Sequence, residues 1–167
     1  CAALFIMGFG LKAALMPFHA WLPDAHPSAP APISAMLSGL LIKVSGVYAL
    51  ARIFFNVFGL TPALSTVLMY LATLSMVAAA FLALGQKDIK RMLAYSSISQ
   101  VGYIVLGLAL GTPLGIAGGL FHLINHALAK SLLFLNSGSI QRSTGTRNLD
   151  EMGGLAKRMP VTAATNL

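Results

Sequence analysis

The clearest pattern along the chain is an alternation of long apolar runs with short polar ones. Five runs approach the ~20 residues that an α-helix needs to cross a bilayer, and they predict helices at 2–21, 33–55, 62–84, 92–110 and 114–135. Segment 23–32 holds four prolines in ten residues and predicts a non-helical loop. Segment 136–160 predicts a polar loop. The pattern therefore predicts an all-α, polytopic transmembrane helix bundle.

The composition supports a membrane protein over a soluble one. Hydrophobic residues make up 57% of the 167 residues and charged residues only 9%, whereas soluble domains carry about 25% charged residues. This excludes an ordinary cytosolic enzyme, a disordered tail and a disulfide-rich secreted scaffold, and the single cysteine, Cys1, has no partner for an internal disulfide. The first residue is cysteine and the first run is already apolar, so we expect the chain to be part of a longer protein.

The distribution of basic residues predicts the orientation in the membrane. The net charge is +7, but no dense basic patch with interleaved aromatic residues indicates a nucleic-acid partner. One side of the predicted bundle carries Lys87, Lys90, Arg91, Arg142, Arg147, Lys157 and Arg158, and the other side carries Arg52. Because basic loops stay inside, segments 22–32, 85–91 and 136–160 are predicted to be cytoplasmic. We expect a multi-pass protein of a prokaryotic inner membrane.

Three lysines, Lys12, Lys43 and Lys130, lie inside the predicted membrane helices. A charged side chain at the bilayer centre costs roughly 2.5–3.5 kcal/mol on insertion scales, so such residues usually have a function. The alternative is a snorkelling lysine whose amine reaches the interface, which fits Lys130 best. All four acidic residues lie in loops. The lysines therefore either exchange protons near neutral pH or find their counter-charge outside this chain.

The last predicted helix carries His122, His126 and Lys130 at spacings of four residues. At about 100° per residue, these side chains follow one stripe of the helix. Histidine titrates near neutral pH and exchanges protons at both ring nitrogens, so the stripe suits a proton relay. Structural histidines are the second interpretation. A metal site is the third, because the helix offers no carboxylate or cysteine ligand, and axial haem histidines would need to face each other from different helices.

Pro17 interrupts the first predicted helix five residues after Lys12. A proline removes one backbone hydrogen bond, and broken helices at membrane depth usually line a cavity or an ion site. The alternative is a kink at the membrane interface, beside the aromatic residues Phe18 and Trp21. The pattern leaves both interpretations open.

Five stretches of the chain resemble the antiporter-like membrane subunits of respiratory complex I, Mrp-type cation/proton antiporters and membrane-bound hydrogenases. They are GLKAALMPFHAWLPDAHPSAPAPISA (10–35), LLIKVSGVY (40–48), DIKRMLAYSSISQVGY (88–103), FHLINHALAKSLLFL (121–135) and TGTRNLDEMGGL (144–155). The resemblance covers nearly the whole chain. It implies a subunit of about fourteen helices built around two inverted repeats, of which this chain is a middle part of about five helices.

The resemblance also implies roles for individual residues. Lys12 would be the lysine of a broken helix that pairs with a glutamate on an earlier helix, and Lys43 would be its neighbouring channel lysine. His122, His126 and Lys130 would form the central relay, and the terminal residue of the exit channel would lie beyond Leu167. Such subunits carry no redox cofactor, and we predict none here because the chain has one cysteine and no glycine-rich phosphate loop.

The leading hypothesis is a proton-translocating subunit of an energy-converting complex, of the NADH:quinone oxidoreductase type, whose partner subunits carry out the redox chemistry. Membership of a hydrogenase or of an Mrp-type Na⁺/H⁺ antiporter stays open. So do a structural membrane subunit with vestigial lysines and a stand-alone transporter of an organic substrate. The expected partners are other membrane subunits, the lipid bilayer and protons or Na⁺.

Overall fold

The structure is a computed structural model that describes residues 2–166, so Cys1 and Leu167 lie outside the described residues. Six helices form the body: α1 (Ala2–Ala13), α2 (Trp21–Ser28), α3 (Ala31–Phe58), α4 (Pro62–Leu84), α5 (Ile89–Ala109) and α6 (Pro113–Thr144). A 3₁₀ turn (Leu149–Glu151), α7 (Leu155–Arg158) and α8 (Pro160–Ala164) follow. Apart from one isolated bridge between Asp88 and Asn148, residues 2–166 form no strand. The predicted all-α fold is confirmed.

Helices α3, α4 and α5 are each long and apolar enough to cross a membrane. Helix α6 has 32 residues but is too polar to meet the same criterion, and α1 has only 12 residues. Within α3, residues Leu37–Tyr48 and Phe54–Phe58 have the wider π-type hydrogen bonding, which is often found at functional sites. The described chain is therefore a membrane bundle in which the first apolar run does not form one continuous helix.

The first predicted helix, 2–21, is wrong at its carboxyl end, because α1 ends at Ala13. Ala14 has a left-handed φ of 56°, and this backbone conformation ends the helix. The backbone N–H of Met16 donates to Ser75 Oγ at 2.8 Å, in the middle of α4. A Cβ on Gly46, within α3, would lie 2.7 Å from the backbone of Ala13. The break therefore lies deep in the bundle and not at its end.

The non-helical loop predicted at 23–32 is also wrong, because α2 occupies Trp21–Ser28. Pro23 lies in the first turn of this helix, where a backbone N–H has no intrahelical acceptor and its loss costs nothing. The helix ends one residue after Pro27. The next helix, α3, begins at Ala31 with Pro32 in its first turn. The prolines thus mark helix starts and a helix end, and the segment between α1 and α2 is the non-helical part.

The remaining helices differ from their predicted limits at the ends. Helix α6 continues to Thr144, past the predicted end at residue 135, and Gly145 ends it with a φ of 76°. The extension holds because Asn136, Ser137 and Ile140 are buried, so this polar stretch packs against the bundle. The loop predicted at 136–160 therefore begins only after Thr144.

Glycines let the long helices approach closely. A Cβ on Gly102 of α5 would lie 2.7 Å from the carbonyl oxygen of Ala72 in α4. A Cβ on Gly39 of α3 would lie 1.9 Å from Ser131 Oγ of α6. Close backbone approach is the main packing device of membrane helices. A Cβ on Gly107 of α5 would likewise lie 2.9 Å from the carbonyl oxygen of Gly115 in α6. Close approach therefore joins α3 and α5 to α6, and the interior between them contains most of the predicted site residues.

Candidate functional site

Three of the five predicted proton-translocation residues are buried between α3, α5 and α6. Lys43 is 1% exposed, His126 5% and Lys130 5%. The two lysines come from different helices, α3 and α6. Lys130 is hydrogen-bonded to α5 directly, whereas Lys43 is connected to α5 through Ser38. The bundle therefore has an ionisable interior, formed by side chains that are far apart in the sequence.

Lys130 is fixed by the first turns of α5. Its Nζ donates to the carbonyl oxygen of Leu93 at 3.2 Å and is hydrogen-bonded to Ser96 Oγ. The ammonium group is thus held inside the bundle and does not reach along α6 to its end, as a snorkelling lysine would. Its partners are a backbone carbonyl and a hydroxyl, and no carboxylate among residues 2–166 forms an ion pair with it.

Lys43 is joined to the same part of α5 by a short series of polar groups. Its Nζ donates to the carbonyl oxygen of Ser38, one turn earlier in α3. Ser38 Oγ lies 3.0 Å from Ser97 Oγ, and Ser97 Oγ donates to the Leu93 carbonyl at 2.9 Å. The Leu93 carbonyl therefore accepts from both Ser97 and Lys130, so that the two lysines share one polar cluster.

The two histidines of α6 stack on each other. Their ring centroids are 6.0 Å apart and their planes differ by 11°. His122 is half-buried, with Nε2 2.7 Å from Gln100 Oε1 of α5, and it lines an open cleft of about 400 Å³ between α5 and α6. His126 is buried, and neither ring nitrogen has a hydrogen-bond partner among residues 2–166. The stripe thus runs from an accessible imidazole to an enclosed one.

Lys12 and Pro17 lie apart from this interior. Lys12 is exposed in the last turn of α1 and borders two shallow grooves, one of them shared with Trp21 and Leu41. Pro17 is exposed in the bend between α1 and α2. Within residues 2–166, the acidic side chains that form ion pairs do so with Lys87, Arg91 and Arg147, not with Lys12. The structure therefore does not join Lys12 to the other four predicted residues.

The polar end of the bundle ties α2 to α5 and to the segment after α6. Asp24 is paired with Arg91, and Arg147 Nε lies 3.4 Å from Asp88 Oδ2. Arg147 Nη1 also donates to the carbonyl oxygen of Pro27 at 2.6 Å. The three segments that the charge distribution places on one side of the membrane thus meet at one end of the bundle. That this end is cytoplasmic stays a prediction.

Two exposed groups at this end have shifted pKa values. The hydrogen bond from Lys87 to Asp150, and the charge of that carboxylate, raise the pKa of Lys87. Hydrogen bonds from Thr146 and Asn148 lower the pKa of Glu151. Both shifts stabilise the charged forms, so this surface keeps its ion pairs and carboxylate at neutral pH.

Sequence reasoning did not assign roles to several polar residues that the site uses. They are Ser38, Ser75, Ser96, Ser97 and Gln100, together with His26, which is fully buried on α2. The signal was present in α5, where Ser96, Ser97, Ser99 and Gln100 interrupt an apolar helix. Their partners lie on other helices, so their roles depended on the packing.

The fold and the buried lysines and histidines define an integral membrane helix bundle with an ionisable interior. The chain matches, over residues 1–167, the family described as NADH:quinone oxidoreductase/Mrp antiporter, TM. It belongs to that family, and the predicted resemblance is confirmed.

Individual relatives agree with this assignment. The chain is 45% identical to an NADH-quinone oxidoreductase subunit of Desulforudis audaxviator, covering 96% of this chain and 33% of that protein. It is 43% identical to a Na(+)/H(+) antiporter subunit of Alkalihalophilus pseudofirmus, covering 95% and 32%. A chain in the solved Mrp complex from Dietzia sp. superimposes with a TM-score of 0.93 at 35% identity, covering 98% and 30%. The chain thus spans about a third of the length of these relatives, and like them it is a multi-pass protein of a prokaryotic membrane.

Proposed function

We propose that this chain is the central part of a proton-translocating, antiporter-like subunit in an energy-converting membrane complex. Protons move along Lys43, Lys130, His126 and His122, while partner subunits carry out the redox chemistry. Lys12 joins this route through a group on another segment of the complete subunit. The observation that carries the proposal is the enclosure of Lys43, His126 and Lys130 in apolar helices, where no carboxylate among residues 2–166 forms an ion pair with either lysine.

The enclosure matters because an ammonium group inside a membrane is costly without a neutralising partner. Lys43 and Lys130 have carbonyl and hydroxyl acceptors, which hold the amine in place in both its charged and its neutral form. An amine that keeps its position when it loses a proton is suited to receive the next one. The Leu93 carbonyl contributes positioning only, since a backbone carbonyl accepts hydrogen bonds but does not carry protons onward.

The histidines suit the next part of the route. Imidazole accepts a proton at one nitrogen and releases one from the other, and His126 has both nitrogens free of hydrogen bonds among the described residues. His122 lies one helical turn further, about 6 Å along the axis, and borders the open cleft. The order of burial therefore leads from the enclosed lysines towards an opening between α5 and α6.

Relatives support both versions of this function. One is named as a subunit of NADH-quinone oxidoreductase and another as a subunit of a Na(+)/H(+) antiporter. We infer that this subunit also works within a multi-subunit membrane complex. The described interior offers amines and imidazoles, which exchange protons, so we propose H⁺ as the ion moved along this stripe.

The test is the double variant His122→Ala/His126→Ala in the complete subunit within its complex, reconstituted into vesicles that contain a pH-sensitive dye. We expect normal assembly on a native gel and at least a tenfold loss of proton translocation. Each single variant should lose nearly as much, because groups that act in series are non-additive. Parent-level translocation by the assembled double variant would refute the proposed function.

A further inference from the structure

His26 is a buried histidine that the proposed route does not use. It lies on α2, and its side chain has 0% exposure in this chain alone. Neither ring nitrogen has a hydrogen-bond partner among residues 2–166. Because the ring is completely covered by this chain, another helix or subunit has no access to it without displacing a residue described here. An unpaired buried imidazole of this kind requires an explanation.

The position of the ring places it in line with the stripe on α6. His26 stacks on Phe134, with ring centroids 4.3 Å apart and planes 18° apart. Phe134 follows Lys130 by four residues, so it occupies the next position of the stripe, about 6 Å further along the helix. Phe134 also belongs to one buried apolar cluster with Leu93, whose carbonyl accepts from Lys130. His26 therefore supplies an imidazole at the position where α6 itself has a phenylalanine.

The other side of α2 faces the polar end of the bundle. Asp24, Pro27 and Ser28 line an open pocket of about 440 Å³ together with Asp88, Arg91 and Arg147. These α2 residues are within two positions of His26. Lys90 and Lys43 are further cations near His26, and Lys90 Nζ donates to the carbonyl oxygen of Ala29 at 2.7 Å. Helix α2 thus separates this polar pocket from the interior that contains Lys130.

We propose that His26 is a proton-carrying residue that connects the polar pocket at this end of the bundle with Lys130. The proposal rests on the proposed function, because it adds an entry step to the same route. When a shift of α2 opens the ring to the pocket, a hydronium ion there protonates one ring nitrogen of His26 and becomes water. The other ring nitrogen then gives its proton to the neutral amine of Lys130. The ring ends neutral in the opposite tautomer, and its rotation or a second exchange restores the starting state.

A purely structural role makes a different prediction from a relay role. Stacking on Phe134 requires only an aromatic ring, which phenylalanine provides. The two unpaired nitrogens contribute nothing to that stack, and burying them is unfavourable compared with burying carbon. A histidine at this position is therefore explained by proton exchange and not by packing.

The experiment uses the complete subunit in its complex, in the same dye-loaded vesicles. The variant His26→Phe keeps the stack and removes the proton carrier, and we expect assembly with at least a tenfold loss of translocation. The variant His26→Gly opens a space beside Phe134, and millimolar imidazole should restore its translocation severalfold without affecting His26→Phe. The variant His19→Phe is the matched control, because His19 is half-buried beside Tyr95 in the bend and outside the stripe, and it should translocate at the parent rate.

Three results would overturn the inference. The first is parent-level translocation by His26→Phe, the second is absence of imidazole rescue in His26→Gly, and the third is loss of assembly in both variants, which would identify a packing residue. The double variant His122→Ala/His126→Ala separates the two proposals. If the double variant fails to translocate and the His26 variants translocate normally, only the entry step is wrong. If the double variant translocates normally, the route itself is wrong.

Discussion

Lys43 and Lys12 are both intramembrane lysines of apolar runs, yet they have opposite surroundings. Lys43 is enclosed by this chain and bonded to Ser38, whereas Lys12 is exposed at the end of a half-helix. Lys43 is thus buried by residues of this chain alone. Lys12 has no such enclosure among residues 2–166. The comparison separates a closed part of the proposed route, around Lys43, from an open part, around Lys12.

The largest effect is expected for the closed part. Lys43→Met keeps the length of the side chain and removes the amine, and replacing a buried charge with an apolar group of similar size is often neutral or stabilising. We expect unchanged assembly and at least a tenfold loss of proton translocation in vesicles. Lys43→Arg is the control for charge without proton release, because guanidinium stays protonated, and it should also fail. Retained translocation in Lys43→Met would place the route elsewhere.

A somewhat smaller effect is expected for the open part. Lys12→Arg fits without steric conflict because the side chain is exposed in this chain, so the fold should be unaffected. We expect translocation to fall about five- to tenfold, because the guanidinium group does not release its proton near neutral pH. The measurement is the same dye assay, with Lys12→Ala as a comparison. An arginine variant with the parent rate would show that Lys12 acts only through its charge.

An intermediate effect is expected at the break between α1 and α2, where a change should lower the stability of the protein. Ser75→Ala removes the acceptor of the buried Met16 N–H, and an unsatisfied buried donor costs about 1–3 kcal/mol. We expect a lower thermal midpoint in detergent and a translocation rate reduced about twofold. Ser75→Thr keeps a hydroxyl acceptor and should stay closer to the parent. Equal behaviour of the two variants would mean that this hydrogen bond does not hold the break.

The smallest effect is expected at the polar end. Lys87 and Asp150 form a 2.7 Å ion pair, but their side chains are 77% and 59% exposed, and exposed pairs contribute little. Because the pKa of Lys87 is raised, the contribution of this pair is fully present at neutral pH and is lost as the pH rises through that raised pKa. Lys87→Gln should leave the thermal midpoint at pH 7 unchanged within error. A clear drop would give this pair a larger role than its exposure suggests.

The two parts also differ in how far their structure was predictable. Hydrophobic runs predicted the long helices α3, α4 and α5, because a membrane span has a fixed minimum length. The prediction of one continuous helix at 2–21 failed because the break in it depends on Ser75. This residue of another helix accepts a hydrogen bond from the backbone N–H of Met16. The prolines of 23–32 suggested a loop, although Pro23 is tolerated in the first turn of α2.

The same distinction applies to the site residues. The periodicity of α6 predicted the stripe of His122, His126 and Lys130, since it depends on one helix only. The contacts of Ser38 with Ser97, of Ser96 with Lys130 and of His26 with Phe134 each join two different helices. The polar residues within apolar α5 were visible in the sequence, but no spacing within one segment encodes their partners on other helices.

The length of α6 has a mechanical consequence. Its 32 residues extend about 48 Å at 1.5 Å per residue, which exceeds the ~30 Å hydrocarbon core of a bilayer. No proline interrupts the helix after Pro113, so the projecting turns and the turns that carry the imidazoles belong to one stiff rod. A lateral force from a neighbouring subunit on the projecting end would tilt α6 as a whole and displace His122, His126 and Lys130 together.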